Sequence, residues 1–326
     1  MVLRYFIVDV FTETALTGNP LAVVMNNRGL SPERMQKIAR EFNLSETTFI
    51  ERRPAEVEQA EGVRVRIFTA QEELNFAGHP TLGTASVLKL RAQETVRDGV
   101  VTLALNAGAV PVRFEEAAGS PGALFGEMQQ RDPEFGEELD RRQVARLAGL
   151  TLEDLEPALA PQIVSTGTAF AIVALRTLDA LSRLKVNQAE ATPWLRERGA
   201  RWMYFLAPTG CTAPRYRARM QFYGGEDPAT GSAAGCAISY LVQRGAVASG
   251  QRIHLRQGVE INRQSELFLS ARIGSDGARI HNSPVPIQNG TEVKQIGDEG
   301  VDLARVVDVR VSGSTILVAT GRLFLP

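Results

Sequence analysis

Histidine and cysteine are scarce in this chain of 326 residues, at three and two respectively. His79, His254 and His281 have no ligand spacing to one another or to Cys211 and Cys236, so no metal is expected. Two thiols make no disulfide framework. With no charged-then-apolar leader at the N-terminus, a reduced pair in a cytoplasmic protein is the expectation. Charge of one sign is lacking too: Lys+Arg number 36 against 37 for Asp+Glu, with no basic stripe or acidic tail. That balance argues against nucleic acid and anionic membrane as partners. No apolar run is long enough to cross a bilayer. The phosphate-loop pattern is absent and no Gly-x-Gly-x-x-Gly follows the first strand, so no dinucleotide or other cofactor is supported.

What is present is a globular composition, 44% apolar and 22% charged, over a length that suggests two domains. Apolar alternation predicts strands over 3–8, 21–25, 47–51, 63–68, 100–105 and 110–114. Ser31 with Pro32 reads as a helix start, followed by Met35, Ile38, Ala39 and Phe42 on one face. A helix rich in small residues is expected over 80–90, and residues 115–122 are polar and turn-rich enough for a linker. The pattern then recurs, with strands expected over 169–175, 202–206 and 216–222 and a helix over 231–242. Gly18 and Gly78 lie 60 residues apart, Gly167 and Gly231 lie 64 apart, and their flanks match, which argues for internal duplication. Strands mixed with helices and long returns fit an α+β fold, each half a curled antiparallel or mixed sheet around one central helix.

Two Gly-led turns mark the equivalent places. Ala77-Gly78-His79-Pro80 and Thr230-Gly231-Ser232 each follow a strand and open an apolar helix, where converging N–H groups and the helix dipole favour an anion. His79 at such a helix start is expected to be neutral; a structural histidine is the plainer reading. Glu46 lies between an apolar helix and an apolar strand. Burial there would raise its pKa and suit it to taking and returning a proton, against the plainer reading of a strand-start Glu facing water. Asp227 precedes Pro228, an ordinary turn signal, or is an acceptor that orients a substrate or fixes the tautomer of His79. Asn19, in Gly18-Asn19-Pro20, points an amide into the same cleft on one reading and makes a turn on the other. Ser232 lacks the Gly-x-Ser-x-Gly elbow of a nucleophile and is expected to act as a donor at the helix start.

Taken together, Asp9-Val10-Phe11 with Gly18-Asn19-Pro20, Ser45-Glu46-Thr47-Thr48-Phe49, Gly78-His79-Pro80-Thr81 and Glu226-Asp227-Pro228-Ala229-Thr230-Gly231-Ser232 resemble the PhzF-like phenazine-biosynthesis family. Gln257-Gly258-Val259-Glu260 and Arg263 also match its pattern. The resemblance implies a diaminopimelate epimerase-like fold of two pseudo-symmetric domains, 1–118 (joined by a returning strand at 313–326) and 119–312, with the site in the cleft between them. It further implies a homodimer and a cofactor-independent isomerase with Glu46 as proton shuttle. His79 and Asp227 would line the cleft, and the Gly78–His79 and Gly231–Ser232 amides would hold a substrate carboxylate. Racemases of this superfamily place a Cys just before each turn, where this chain has Ala77 and Thr230. Two-thiol racemisation is therefore disfavoured; a non-catalytic small-molecule binder on the same fold is the alternative. The polar stretch 275–301 is longer than the family requires.

Overall fold

A computed structural model describes residues 1–26, 29–115, 120–210, 215–222, 225–274 and 305–325. The first part of the chain supplies β1 (Val2–Val10), β2 (Asn19–Met25), β3 (Glu46–Glu51), β4 (Val63–Phe68), the two-residue β5 (Glu73–Leu74), β6 (Val100–Leu105), β7 (Gly108–Phe114) and β8 (Ala123–Gln129). Its helices are α1 (Pro32–Phe42), α2 (Ala55–Glu61) and α3 (Gly78–Arg91). The second part supplies β9 (Glu134–Glu138), β10 (Gln162–Ser165), β11 (Ala169–Ala174), β12 (Trp202–Pro208) and β13 (Arg215–Arg219). After these come the short pair β14 (Gln221–Phe222) and β15 (Gly225–Glu226), then β16 (Ile253–Gln257), β17 (Ser265–Ile273) and β18 (Val306–Phe324). Its helices are α4 (Arg141–Ala148), α5 (Leu178–Arg183), α6 (Gln188–Glu197) and α7 (Gly231–Gln243).

The mixed sheet runs β1-β2-β3-β4-β6-β7-β8-β18, and β18 pairs back onto β1, which closes an eight-stranded barrel. From β18 the sheet continues through β17, β16, β13, β12, β11 and β10 to β9 without closing. Strand β18 is thus common to both sheets, with its N-terminal part on β17 and its C-terminal part antiparallel to β1 from Thr315 to Phe324. Pairing directions recur: β2–β3 parallel, β3–β4 antiparallel, β4–β6 parallel and β6–β7 antiparallel are matched by β11–β12, β12–β13, β13–β16 and β16–β17.

Helix α3 fills the barrel and α7 packs inside the second sheet. Neither has a polar face: α3 is buried from Gly78 to Leu88 and α7 from Gly231 to Val242, as a helix must be when strands surround it. Small residues let the strands approach. A Cβ on Gly83 would stand 2.7 Å from Leu21 and 2.8 Å from Val10. The largest apolar cluster joins both helices to both sheets, whereas α1 packs on the outer barrel face through Met35, Ile38, Val24 and Phe49. Helices α4, α5 and α6 cover the outside of β11 and β12 through a separate cluster that includes Leu147, Leu181 and Leu195.

Several local expectations need correction. Helix α3 begins at Gly78 rather than at residue 80, because Ala77 is still extended and Pro80 falls in the first turn, where a missing N–H costs nothing. The strand expected over 216–222 breaks at Met220. The first half closes as a barrel rather than only curling. The linker core 116–119 with the 118/119 boundary, Cys211, His281 and the stretch 275–301 lie outside the described residues. No helix among the described residues is long and apolar enough to cross a membrane.

Candidate active site

The two glycine turns meet. A Cβ on Gly78 would lie 2.6 Å from the carbonyl carbon of Gly231 and 2.6 Å from the nitrogen of Ser232, so only glycine permits the contact between α3 and α7. Neither helix has a side-chain cap at its start, unlike α1, α4 and α5, which are capped by Ser31, Asp140 and Thr177. Helices α2 and α6 also lack such a cap, but they start at the surface. First-turn N–H groups that no side chain takes up, at two abutting helix N-termini, form a cradle for negative charge.

Around this seam stand the polar residues singled out in the sequence. Asn19 opens β2 and Glu46 opens β3; the parallel pairing that sets Leu21 opposite Glu46 brings both to one end of the barrel. Asn19 Nδ2 donates to Asp227 Oδ1 at 2.8 Å and to Ala229 O at 2.8 Å, and lies 3.1 Å from His79 Nδ1. The amide nitrogen cannot accept a proton, so Nδ1 facing it is the unprotonated ring nitrogen and the histidine proton sits on Nε2, 3.3 Å from Glu46 Oε2. The hydrogen bonds between Asp227 and His79 run through Asn19. Glu46 Oε2, His79 Nε2 and Asn19 Oδ1 are buried without a hydrogen bond. Three buried polar atoms without partners, beside an uncapped seam, offer a donor and two acceptors to a ligand.

Electrostatics follow from burial. Burial pushes His79 down to about 3, so the ring is neutral at physiological pH. Glu46, with 16% of its side chain accessible, is raised well above 4.5 by burial and then by the negative charge of Asp227, with Arg201 opposing. Burial also raises Asp227 to about 7, against hydrogen bonds from Thr230 and Asn19. Each carboxylate thus resists ionisation, and the charge of Asp227 opposes that of Glu46. Arg201 pairs with Glu72 and lies over the Trp202 ring at 4.3 Å. Replacing Arg201 with Met removes the one positive charge that lowers Glu46. The acid limb of a pH–rate profile, where Glu46 must lose its proton to act as base, is expected to move to higher pH. An unmoved limb would mean that this limb does not report Glu46.

Cys236 sits in the second turn of α7. Its thiol contacts Thr166 Oγ1 at 3.6 Å and Thr168 O at 3.7 Å, and burial pushes it up to about 12. It is no base, and Ala77 and Thr230 hold the two cap positions. Among the described residues no three His, Cys, Asp or Glu gather as a metal site. Ser232 is buried at the start of α7, as is Gly231 before it.

The structure adds residues that the motifs did not single out for a role. Arg263 donates to Gly18 O at 2.9 Å, to Thr17 O at 2.8 Å and to Asp9 Oδ1 at 2.7 Å, which fastens the loop before Asn19. Gln130 donates to Gly231 O at 2.9 Å and accepts from Thr166 at 2.7 Å. A cavity of about 160 Å³ adjoins this point, lined by Phe76, Ala107, Val110, Gln130, Arg131 and Thr166. Gln257 is wholly buried at an inward position of β16. A polar side chain on the apolar phase of Ile253-x-Leu255-x-Gln257 was the available signal.

A sequence model described as phenazine biosynthesis-like protein (PhzC-PhzF) matches residues 8–286. The chain is 36% identical over 285 residues to a trans-2,3-dihydro-3-hydroxyanthranilate isomerase of Pseudomonas aeruginosa, covering 85% of this chain and 92% of that one. A solved structure from the same organism, described as a predicted epimerase, is 30% identical with a TM-score of 0.75 and covers 99% of this chain and 100% of its own. A PhzF-family phenazine biosynthesis protein of Bacillus anthracis matches in fold over 100% of both chains, with a TM-score of 0.78 at 23% identity.

Proposed function

Because the chain belongs to the PhzC-PhzF family of phenazine biosynthesis-like proteins, we propose that it is a cofactor-independent isomerase that moves a proton between carbons of a small, carboxylate-bearing cyclic substrate. Several relatives are named isomerases, three of them for trans-2,3-dihydro-3-hydroxyanthranilate. The observation that carries the proposal is the buried, unpartnered Oε2 of Glu46 beside the two uncapped helix starts. In this reading the Gly78–His79 and Gly231–Ser232 amides hold the substrate carboxylate. Glu46 removes a proton from one carbon and returns it to another on the same face, and burial strengthens its hold on the proton between the two transfers. Neutral His79 donates through Nε2 to the side where charge develops, and Asn19 and Asp227 hold the ring. The recurring order of strand directions supports two epimerase-like units, with β8 (Ala123–Gln129), which follows the boundary expected at 118/119, belonging to the barrel and the C-terminal part of β18 returning to it. A cytoplasmic homodimer belongs to the same proposal.

The test uses trans-2,3-dihydro-3-hydroxyanthranilate and a panel of dihydroaromatic carboxylates in deuterated water, read by NMR. Deuterium appearing at a ring carbon together with an isomerised product is expected for at least one compound. Binding without exchange across the panel would instead identify a non-catalytic binder. Inactivation by thiol alkylation would point to racemase-type chemistry, which the buried Cys236 argues against.

A further inference from the structure

The buried amide of Gln257 has all its bonds assigned by its neighbours. Its Nε2 donates to the backbone carbonyl of Asp227 at 2.8 Å and to Thr230 Oγ1 at 2.9 Å. Its Oε1 accepts from Tyr204 Oη at 2.9 Å and from the Thr230 N–H at 3.1 Å. The amide cannot be turned over, since a backbone N–H must meet the oxygen and a backbone carbonyl must meet the nitrogen. Thr230 Oγ1 therefore receives a proton from Gln257, and its own single proton is left for Asp227 Oδ2 at 2.7 Å.

We infer that Gln257 is a positioning residue of the site: it commits the Thr230 hydroxyl proton to Asp227 and so holds Asp227 as an acceptor. The catalytic meaning rests on the isomerase reading, but the hydrogen-bond relay does not. With Asn19 donating to Oδ1 and Thr230 to Oδ2, both oxygens of Asp227 accept, which favours the ionised form against burial. The other titratable groups around Asp227 are Glu226 beside it, which is paired with Arg219, Glu46 from β3, His79 from α3 through Asn19, and Tyr204 from β12. Tyr204 spends its proton on Gln257, so Thr230 and Asn19 are the side-chain donors that reach the carboxylate.

The experiment is a carbon-13 NMR titration of Asp227 in the substrate-free protein, with its signal identified by its loss in Asp227→Asn. Thr230→Val is expected to raise the midpoint by about one pH unit, the value of one hydrogen bond to a charged group. Thr230→Ser keeps the wild-type midpoint. Gln257→Met raises it in the same direction, and the double variant Gln257→Met/Thr230→Val moves no further than Thr230→Val alone, because the effect passes through the hydroxyl. A folded Gln257→Met protein with the wild-type midpoint, or full additivity in the double variant, would overturn the inference. If Gln257→Met does not fold, Gln257→Leu carries the same comparison, and an unshifted Thr230→Val midpoint sinks the inference in either case. No substrate is present, so a negative deuterium-exchange result leaves this outcome unaffected.

Discussion

Replacing Glu46 with Gln is expected to lower turnover by about 10²–10⁴-fold, the usual contribution of one positioned acid/base group, while KM changes little. The split arises because the substrate carboxylate is assigned to the helix seam and not to Glu46. Stability is expected to move the opposite way. Glu46 is raised well above its ordinary 4.5, so the folded protein resists its ionisation and the wild type loses stability as pH climbs from about 4.5 through the raised value. Gln carries no such cost. Thermal melts should therefore show wild type and variant close together near pH 4, with the variant gaining as pH rises. A variant within tenfold of wild-type turnover would remove Glu46 from the chemistry. A melting difference that shrank toward high pH would contradict its burial as an acid.

Gly78→Ala is the second substitution expected to act strongly, and propensity alone predicts its sign wrongly. Alanine is favoured over glycine inside a helix by about 1 kcal/mol. Here the added carbon meets Gly231 and Ser232 backbone atoms 2.6–2.7 Å away, which no rotamer change can relieve. Overpacking of this kind costs about 1–3 kcal/mol, and the two helix starts must part to accommodate it. The melting temperature is expected to fall and KM for a carboxylate substrate to rise. Gly231→Ala is the milder case, because its Cβ would meet the Phe11 ring at 3.1 Å and Gly78 Cα at 3.2 Å. Equal effects from the two, or a stabilised Gly78→Ala protein, would show that the seam is looser than drawn.

Local signals carried much of the design. Val63–Phe68 was legible because its inward and outward positions alternate, and the start of α1 because Ser31 accepts from the Arg34 N–H ahead of Pro32. Glu46 could be chosen as a candidate from its apolar flanks. What stayed illegible depends on residues far apart in the chain. The barrel closes by pairing Val2 with Phe324; nothing near either residue announces the other, and the return of the strand at 313–326 is expected from the family resemblance alone. Helix α2 has no buried residue and therefore no apolar face to read. Helix α4 does carry a readable face, with the Asp140 cap ahead of Val144, Leu147 and Ala148, whereas α5 is short, α6 contains Pro193, and both show theirs only against β11 and β12. The bridge from Asp227 through Asn19 to His79 depends on geometry across three elements, which spacing along the chain does not encode.

The stave that β18 provides to both sheets also sets the order in which the molecule can assemble. Strand β1 leaves the ribosome some three hundred residues ahead of its partner, with the edge that β18 will cover exposed in the meantime. Such high-separation pairing is the slow part of folding. Helix α3 cannot be enclosed, nor the helix seam fixed, before β18 has been synthesised. Until then the nascent chain presents an unpaired β1 edge, the kind of exposure that favours pairing between chains.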